Sequence, residues 1–500
     1  MARNDKDSEL ILGLITTVGT ETDEVIRVIK DTLSFFNYEV EEVVVSSTII
    51  SEFEKTSDKE WPSEYYRISH YMDLGNEIRK NTCDNSILMK GVARQLYLNR
   101  DKDEDGHPKP RQRIAYIIKS IKHPDEVEFM RDTYGEGFHL IAITSSNERR
   151  IEYLTKRKGL TLEQAELLLE RDANEDLKQG QHTQDAFQHA DYFINISEDV
   201  DFTYNSISRL IDLLFGDPYI SPSFDEYAMF MAYASSLRSA DLSRQVGAVI
   251  AKDNEIIASG ANDCPKAGGG LYWPVLKDHG KYEDVPDGRD YMYKEGFDSN
   301  KIEQKKIINS LLKAFDLEVS EENISKAQSA GIGDLTEYGR VVHGEMEALL
   351  TCARNNISCR GATLYATTFP CHNCAKHIIA AGIKRVVYIE PYPKSKAFQF
   401  YPAEIANGSF AEDKVVFEPF TGVGPQRFVD LFAVSSARWY ARRRKDKQGY
   451  KLNWERKEAE LRNPILLFNY LDAEKLALIV FEDETVALKG EESNHEQEDN

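Results

Sequence analysis

Two short stretches of this chain carry reactive residue types at fixed spacing. Thr367 to Gly382 reads TTFPCHNCAKHIIAAG, with Cys371 and Cys374 three apart, after a proline and before a helical pattern. Upstream, VVHGEMEALLTCARNN sets His343 and Glu345 at the start of an apolar-periodic segment. A thiolate pair at a helix N-terminus is favoured by the helix dipole and by unpaired backbone N–H groups. Three readings of the cysteines are open. They are a redox dithiol, half of a closed structural zinc site completed by Cys352, Cys359 or His372, or part of a catalytic zinc site. A catalytic site takes three protein ligands and leaves one position for water. His343, Cys371 and Cys374 supply three. The dithiol leaves the His-Gly-Glu stretch unexplained, and a closed site gives the Glu345 carboxylate no task.

The order H-x-E…P-C-x-x-C, here His343-Gly344-Glu345 and then Pro370-Cys371-His372-Asn373-Cys374, is the nucleobase deaminase signature. Each residue type has a reason. A bound Zn2+ lowers the pKa of its water toward neutrality. Glu345 can then take the water's proton, deliver it to the ring nitrogen and help the amine leave as ammonia. His372 lies between the ligands, where it points elsewhere, and His377 reads as a helix-surface residue. Cys352 and Cys359 read as small buried side chains.

The elements that hold these residues follow from periodicity. Helix FDEYAMFMAYASSLRS precedes QVGAVIAKDNEIIASGAND, two apolar runs around Asp253-Asn254 that read as an antiparallel hairpin. GATLYATT and KRVVYIEP read as further strands flanking the CHNC helix. Between Asn262 and Val342 lie about eighty residues, too many for a plain loop, with a helix expected at IEQKKIINSLLKAF and otherwise a lid or oligomer contact. The front of the chain alternates strand and helix: LILGL, EVIRVIKDTLSFF, VEEVVVSS, RQRIAYIIKSI, HPDEVEFMRDTYG, FHLIAI, SSNERRIEYLTKRKG and ADYFINIS. That alternation predicts an α/β domain with a mostly parallel sheet, ending near SISRLIDLLFG and Asp217-Pro218. The last residues, EESNHEQEDN, read as a frayed acidic tail.

The composition bounds the rest. Five hundred residues exceed a single core, and 41% hydrophobic with 29% charged is ordinary for a globular protein. The longest apolar runs, such as LFAV and LIVF, fall far short of a membrane span. No basic segment followed by an apolar one opens the chain, so cytoplasm is the expected location. Six cysteines do not make a disulfide framework. A net charge of -22 argues against broad coating of nucleic acid. The local cluster RWYARRRKDK, Arg438 to Lys447, reads either as a solvated basic face or as a contact for RNA or another anion.

The stretch LILGLITTVGTETDEVI invites a phosphate-loop reading, G-x-x-x-x-G-K-[ST]. Counting from Gly13, Val18 stands where the second glycine belongs, Gly19 follows, and Thr20 stands where the lysine belongs. Without that lysine the cradle lacks its point charge. Backbone N–H groups at the next helix could still hold an anion. Gly13, Gly19 and Thr20 are therefore the candidate nucleotide-binding residues, beside a purely structural reading.

From roughly Phe224 to Pro391 the chain resembles the deoxycytidylate deaminase branch of the cytidine deaminase superfamily. SLRSADLSRQVGAVIAKDNEIIASGAND, HGEMEALL and LYATTFPCHNCAKHIIAAGIKRVVY, in that order, carry the resemblance. It implies a C-terminal cytidine deaminase-like α/β/α domain with a parallel strand after the CxxC helix. It also implies that Arg244 lies in the helix-to-strand entry, that Asn262 contacts sugar and base, and that Thr367 to Pro370 line the base. The greater length, KAGGGLYWP, DGRDY and the α/β front half together resemble the two-domain bacterial antiphage dCTP deaminases. That resemblance implies a degenerate P-loop, nucleotide kinase-like regulatory domain over 1–217 and a deaminase-like domain over 218–480 with an insertion at 263–342. Residues 481–500 would form the acidic tail. It further implies hydrolysis of dCTP to dUTP, a homo-oligomer, and control by a regulatory RNA or nucleotide signal. For a triphosphate the candidate cations are Lys266, Lys394 and Lys396, with Tyr272 and Trp273 as stacking or packing residues. The alternatives are a dCMP deaminase of pyrimidine metabolism, an editor of RNA or single-stranded DNA, and a zinc-stabilised binding protein without catalysis.

Overall fold

The computed structural model describes residues 8–54, 60–174, 182–196, 200–392, 394–408, 411–434, 443–465 and 470–498. The chain forms two compact units. Met1–Glu226 with Phe420–Asn500 make unit 1, and Tyr227–Pro419 make unit 2. Among the described residues no helix is long and apolar enough to cross a membrane.

In unit 1 the expected alternation is present. Strands β1 (Leu10–Thr16), β2 (Glu39–Val44), β3 (Ile114–Ile121), β4 (Phe138–Thr144) and β5 (Tyr192–Asn195) lie in the order β5-β4-β1-β3-β2. All of these neighbours pair in parallel. Such a sheet is covered on both faces, which is why β1 and β4 are continuous apolar runs rather than alternating ones. The Asp23–Ser34 helix buries Val25, Ile29 and Leu33 in the same core as Leu12, Ile117 and Ile141. Two helices between β2 and β3, Glu64–Thr82 and Ile87–Leu98, are additions to the expected pattern. Gly13 lies inside β1, where a Cβ would collide with Ile121 and Phe138. It is a packing glycine and opens no phosphate loop.

Unit 2 holds a sheet in the order β12 (Ile405–Asn407), β13 (Val415–Pro419), β11 (Arg385–Glu390), β10 (Thr363–Thr368), β6 (Gly247–Lys252) and β7 (Glu255–Ala261). After the Phe224–Ser236 helix come β6 (Gly247–Lys252) and β7 (Glu255–Ala261), antiparallel as expected. Asp253 and Asn254 between them have φ of 52° and 61°, the left-handed pair of a tight hairpin turn. The insertion carries the small hairpin β8 (Val275–Leu276) and β9 (Tyr282–Glu283), the expected helix at Ser299–Ala314, and a further helix at Glu321–Ser329. The Gly344–Arg354 helix, β10 (Thr363–Thr368), the His372–Ala380 helix and β11 (Arg385–Glu390) follow. Strand β10 is antiparallel to β6 and parallel to β11. Strands β12 (Ile405–Asn407) and β13 (Val415–Pro419) complete the edge.

The chain then returns to the first sheet. Strand β14 (Gly422–Val423) pairs antiparallel with β5. A boundary at 217 with the second domain running to 480 therefore differs from the contact pattern, for a clear reason. Val423 N donates to the Glu226 carboxylate at 2.8 Å, and Arg427 Nε donates to Asp191 at 3.0 Å. Arg100, fully buried, is clasped by Glu9 and Glu474 at 2.5 and 2.7 Å. Within the expected tail, Phe481 is buried on the Tyr470–Glu498 helix and packs edge-on against Phe53. Of the basic cluster 438–447, residues 438–442 lie outside the described residues. Arg444 Nε donates to Pro218 O at 2.7 Å, so this member serves the fold.

Candidate metal centre and active site

Two helix starts of unit 2 build the site, one just after the isolated bridge of Val342 with Asp263 and one just after β10. His343 is the N-cap of the Gly344–Arg354 helix, and Cys371 is the N-cap of the His372–Ala380 helix, with Cys374 in its first turn. Gly260 on β7 lets the first helix lie against the hairpin, because a Cβ there would collide with Gly344 O and Ala348 N. The second helix buries Ala375 and Ile378 in the core of β10 and β11.

His343 Nδ1 sits 3.4 Å from Cys371 Sγ and 3.3 Å from Cys374 Sγ. Ligands of a tetrahedral zinc, with bonds of about 2.0–2.3 Å, stand about 3.5 Å apart for nitrogen and sulfur. The three donors all fall within 4.8 Å of one another, so soft thiolates and one imidazole fit that ion in kind and in spacing. Cys371 is pulled down to about 4, first by the hydrogen bond with Cys374 and then by His343. Cys374 is pushed well up, by the same bond first and by burial second. Glu345, in the first turn of its helix, is 4% exposed. Burial pushes its carboxyl up, and His343 opposes that.

The other expected contacts sort differently. Asn262 is buried and turned inward: its Nδ2 donates to Arg244 O at 2.8 Å and its Oδ1 accepts from Val246 N at 2.7 Å. It shapes the turn into β6. Thr367 Oγ1 accepts from Gly247 N at 3.1 Å and so ties β10 to that turn. Arg244 is half exposed and donates to Glu390 at 3.3 Å, while its guanidinium lies 5.6 Å from the Tyr392 ring centre. Glu390 also accepts from Thr368 Oγ1 at 2.8 Å. Glu390 and Tyr392 were not singled out from the sequence, although EPY directly after a strand end was the available signal. Lys394 is exposed, at a turn beyond β11. His372 stacks edge-on against Phe400 rather than joining the donors, and His377 hydrogen-bonds Asn373 O on its own helix. Cys352 and Cys359 stand apart from the donor cluster. A second group, Asp103, Asp105 and His107 in unit 1, is exposed on one loop.

The sequence pattern described as the cytidine and deoxycytidylate deaminase zinc-binding region matches residues 222–390. The deoxycytidylate deaminase of Enterobacteria phage T2 is 32% identical over 166 residues, 33% of this chain and 79% of that protein. The deoxycytidylate deaminase of Mus musculus is 28% identical over 221 residues, 44% of this chain and 91% of that protein. The dCMP deaminase of cyanophage S-TIM5, solved with dCMP and dUMP, is 20% identical, covering 40% of this chain and all of that one, with a TM-score of 0.23. That score is too low to add to the sequence matches.

Proposed function

Because this chain belongs to the cytidine and deoxycytidylate deaminase family, we propose that unit 2 hydrolytically deaminates a free deoxycytidine 5′-nucleotide, with the monophosphate as the first candidate. The observation that carries the reading is the buried Glu345 carboxylate, two residues beyond His343 and hydrogen-bonded with Cys374, beside three donors that suit zinc. His343, Cys371 and Cys374 would hold the ion. When bound, zinc acidifies a water molecule and so supplies the nucleophile at neutral pH. Glu345 takes the water's proton on a carboxylate oxygen and passes it to N3 of the base as oxygen adds to C4. It then takes the proton of the new C4 hydroxyl and gives it to the exocyclic amine; the C4–N bond breaks as the C4 carbonyl forms, and ammonia and the deoxyuridine nucleotide leave. Burial of Glu345 keeps bulk water from competing for that proton. Arg244, with Glu390 and Tyr392 beside it, is the cation proposed to meet substrate phosphate. Thr367 and Asn262 hold the turn on which Arg244 stands, and the exposed Lys394 is the second candidate cation for the phosphate.

A second reading takes dCTP as substrate and depletion of that pool during phage infection as the role. It is supported by the two-unit organisation, with a parallel α/β sheet whose β1-to-helix loop, carrying Gly19 and Thr20, lies at the ligand-binding edge of such folds. Unit 1 would then be a P-loop-like, kinase-like regulator answering to a nucleotide or RNA. It stands second because the matched relatives are named for deoxycytidylate. Zinc-loaded protein assayed for ammonia release from cytidine, dCMP, dCTP, CTP and single-stranded oligonucleotides separates the two. Turnover of dCMP alone supports the first reading and turnover of dCTP the second. Turnover of oligonucleotides alone would overturn both.

A further inference from the structure

At the carboxyl ends of β3, β1 and β4, the crevice where parallel α/β sheets take ligands, unit 1 aims an unusual set of groups at one point. Lys122 directly follows β3, the loop Thr17–Thr22 follows β1, and Arg150 stands on the Asn147–Glu152 helix that follows β4. They converge on a carboxylate of the chain itself, Asp172 on the Leu162–Asn174 helix. Val18 N donates to Asp172 Oδ2 at 2.8 Å, and Arg150 reaches the same oxygen at 3.3 Å. The other oxygen, Oδ1, is buried without a hydrogen-bond partner and faces Lys122 Nζ at 3.7 Å. The Asp172 side chain is 1% exposed.

The cations are themselves braced. Arg150 Nε donates to Val18 O at 2.7 Å and its third nitrogen to Asn147 Oδ1 at 3.1 Å, while Lys122 Nζ donates to Thr16 O at 2.5 Å. Gly19, at φ 84°, lets the loop pass against Arg150. Two cations and a backbone N–H face one monoanion with a single oxygen left over. A phosphoryl group, with more oxygens and up to two negative charges, matches that set better than a carboxylate does.

We propose that this is a phosphoryl-binding site held shut by its own Asp172, and that a phosphate-bearing ligand enters only when Asp172 withdraws. The loop after β1 lacks the P-loop lysine, but Lys122 brings an ammonium to it from the neighbouring strand. A tethered carboxylate acts at an effective concentration of about millimolar or more, so dilute phosphate does not displace it. The proposal concerns unit 1 and is independent of the deaminase reading.

The test uses full-length, zinc-loaded protein and titration calorimetry with inorganic phosphate, then with ATP. Replacing Asp172 by serine removes the competitor and leaves room for the ligand. If the carboxylate fills the site nine-tenths of the time or more, D172S binds phosphate at least about tenfold more tightly than the unaltered protein. D172N keeps the shape without the charge and is expected to shift in the same direction, so the result stands even if the serine variant misfolds. Adding K122M to either variant should abolish the gain. Tighter binding of ATP than of phosphate would assign the site to a nucleotide, and equal binding to a free phosphoryl ion. Equal affinity across unaltered protein and both single variants, no binding by either variant, or a gain that survives K122M would each overturn the proposal.

Discussion

The two units treat the start of a helix in opposite ways. In unit 2, His343, Cys371 and Cys374 stand at or just after helix starts and turn their donor atoms toward one another. In unit 1 the corresponding turn after β1 is satisfied from within, by Asp172, Lys122 and Arg150. A centre that must take a partner from solution keeps its donors converging with the reactive carboxylate beside them. A turn that supplies its own counter-ion gains local order and loses access. The same local architecture therefore reads as chemistry in one unit and as closure in the other, and side-chain identity decides which.

The sharpest way to break that contrast is at Glu345. Changing it to alanine should lower deamination by about 10²–10⁴-fold while zinc content, measured by metal analysis, stays at the unaltered level. Loss of zinc in E345A, or full turnover, would remove Glu345 from the role given to it. C374A should lose both zinc and turnover, and retained zinc would mean a different donor set.

Next in size is the buried charge cluster of unit 1. Replacing Arg100 with methionine strands Glu9 and Glu474, which should cost about 3–5 kcal/mol in denaturant unfolding while zinc content is kept. Gly260→Ala in unit 2 should cost about 1–3 kcal/mol, because the Gly344–Arg354 helix has to move off the hairpin. It should weaken zinc retention against a chelator as well, since His343 begins that helix.

The last effect, about 2 kcal/mol between pH 7 and 5, is a pH dependence in unit 1. His139 on β4 is held down at about 3 by burial first and by Arg427 second, with Asp191 opposing and Arg131 also against protonation. Its folded pKa lies below the unfolded value near 6.5, so the unfolded chain takes up the proton first. Stability is full above about pH 6.5 and falls by about 1.4 kcal/mol per pH unit on acidification toward 3. Thermal melts of His139→Gln between pH 7 and 5 should show a flatter decline. His123 and His189, also held down by burial, leave a remainder.

How much of this could be read beforehand follows the same division. The His-Gly-Glu and Pro-Cys-x-x-Cys stretches were legible because metal ligation demands particular residue types at helix starts, and the strands around them were legible from apolar period. Asn262 was not. Its type suits a ligand contact and an inward turn equally, and only the geometry of Arg244 and Val246 shows that it closes the turn. The return of residues 420–498 to the first sheet was equally hidden, since a two-residue strand and an arginine at 427 carry no local period. Lys122, Arg150 and Asp172 were invisible for another reason: they lie on three separate elements, and nothing in a one-dimensional pattern says they meet.

The clasp of Arg100 by Glu474 has a consequence for how the protein is made. The two residues are 374 positions apart, with all of unit 2 between them. At about 5–20 residues per second on a ribosome, Arg100 waits roughly 20 to 75 seconds for that partner after it is synthesised. Throughout that interval the newborn front sheet lacks its last helix, and for most of it its closing strand as well, while the segment carrying the three metal donors is made before its end. Nascent chains halted just before residue 470 should therefore be the forms most in need of chaperones.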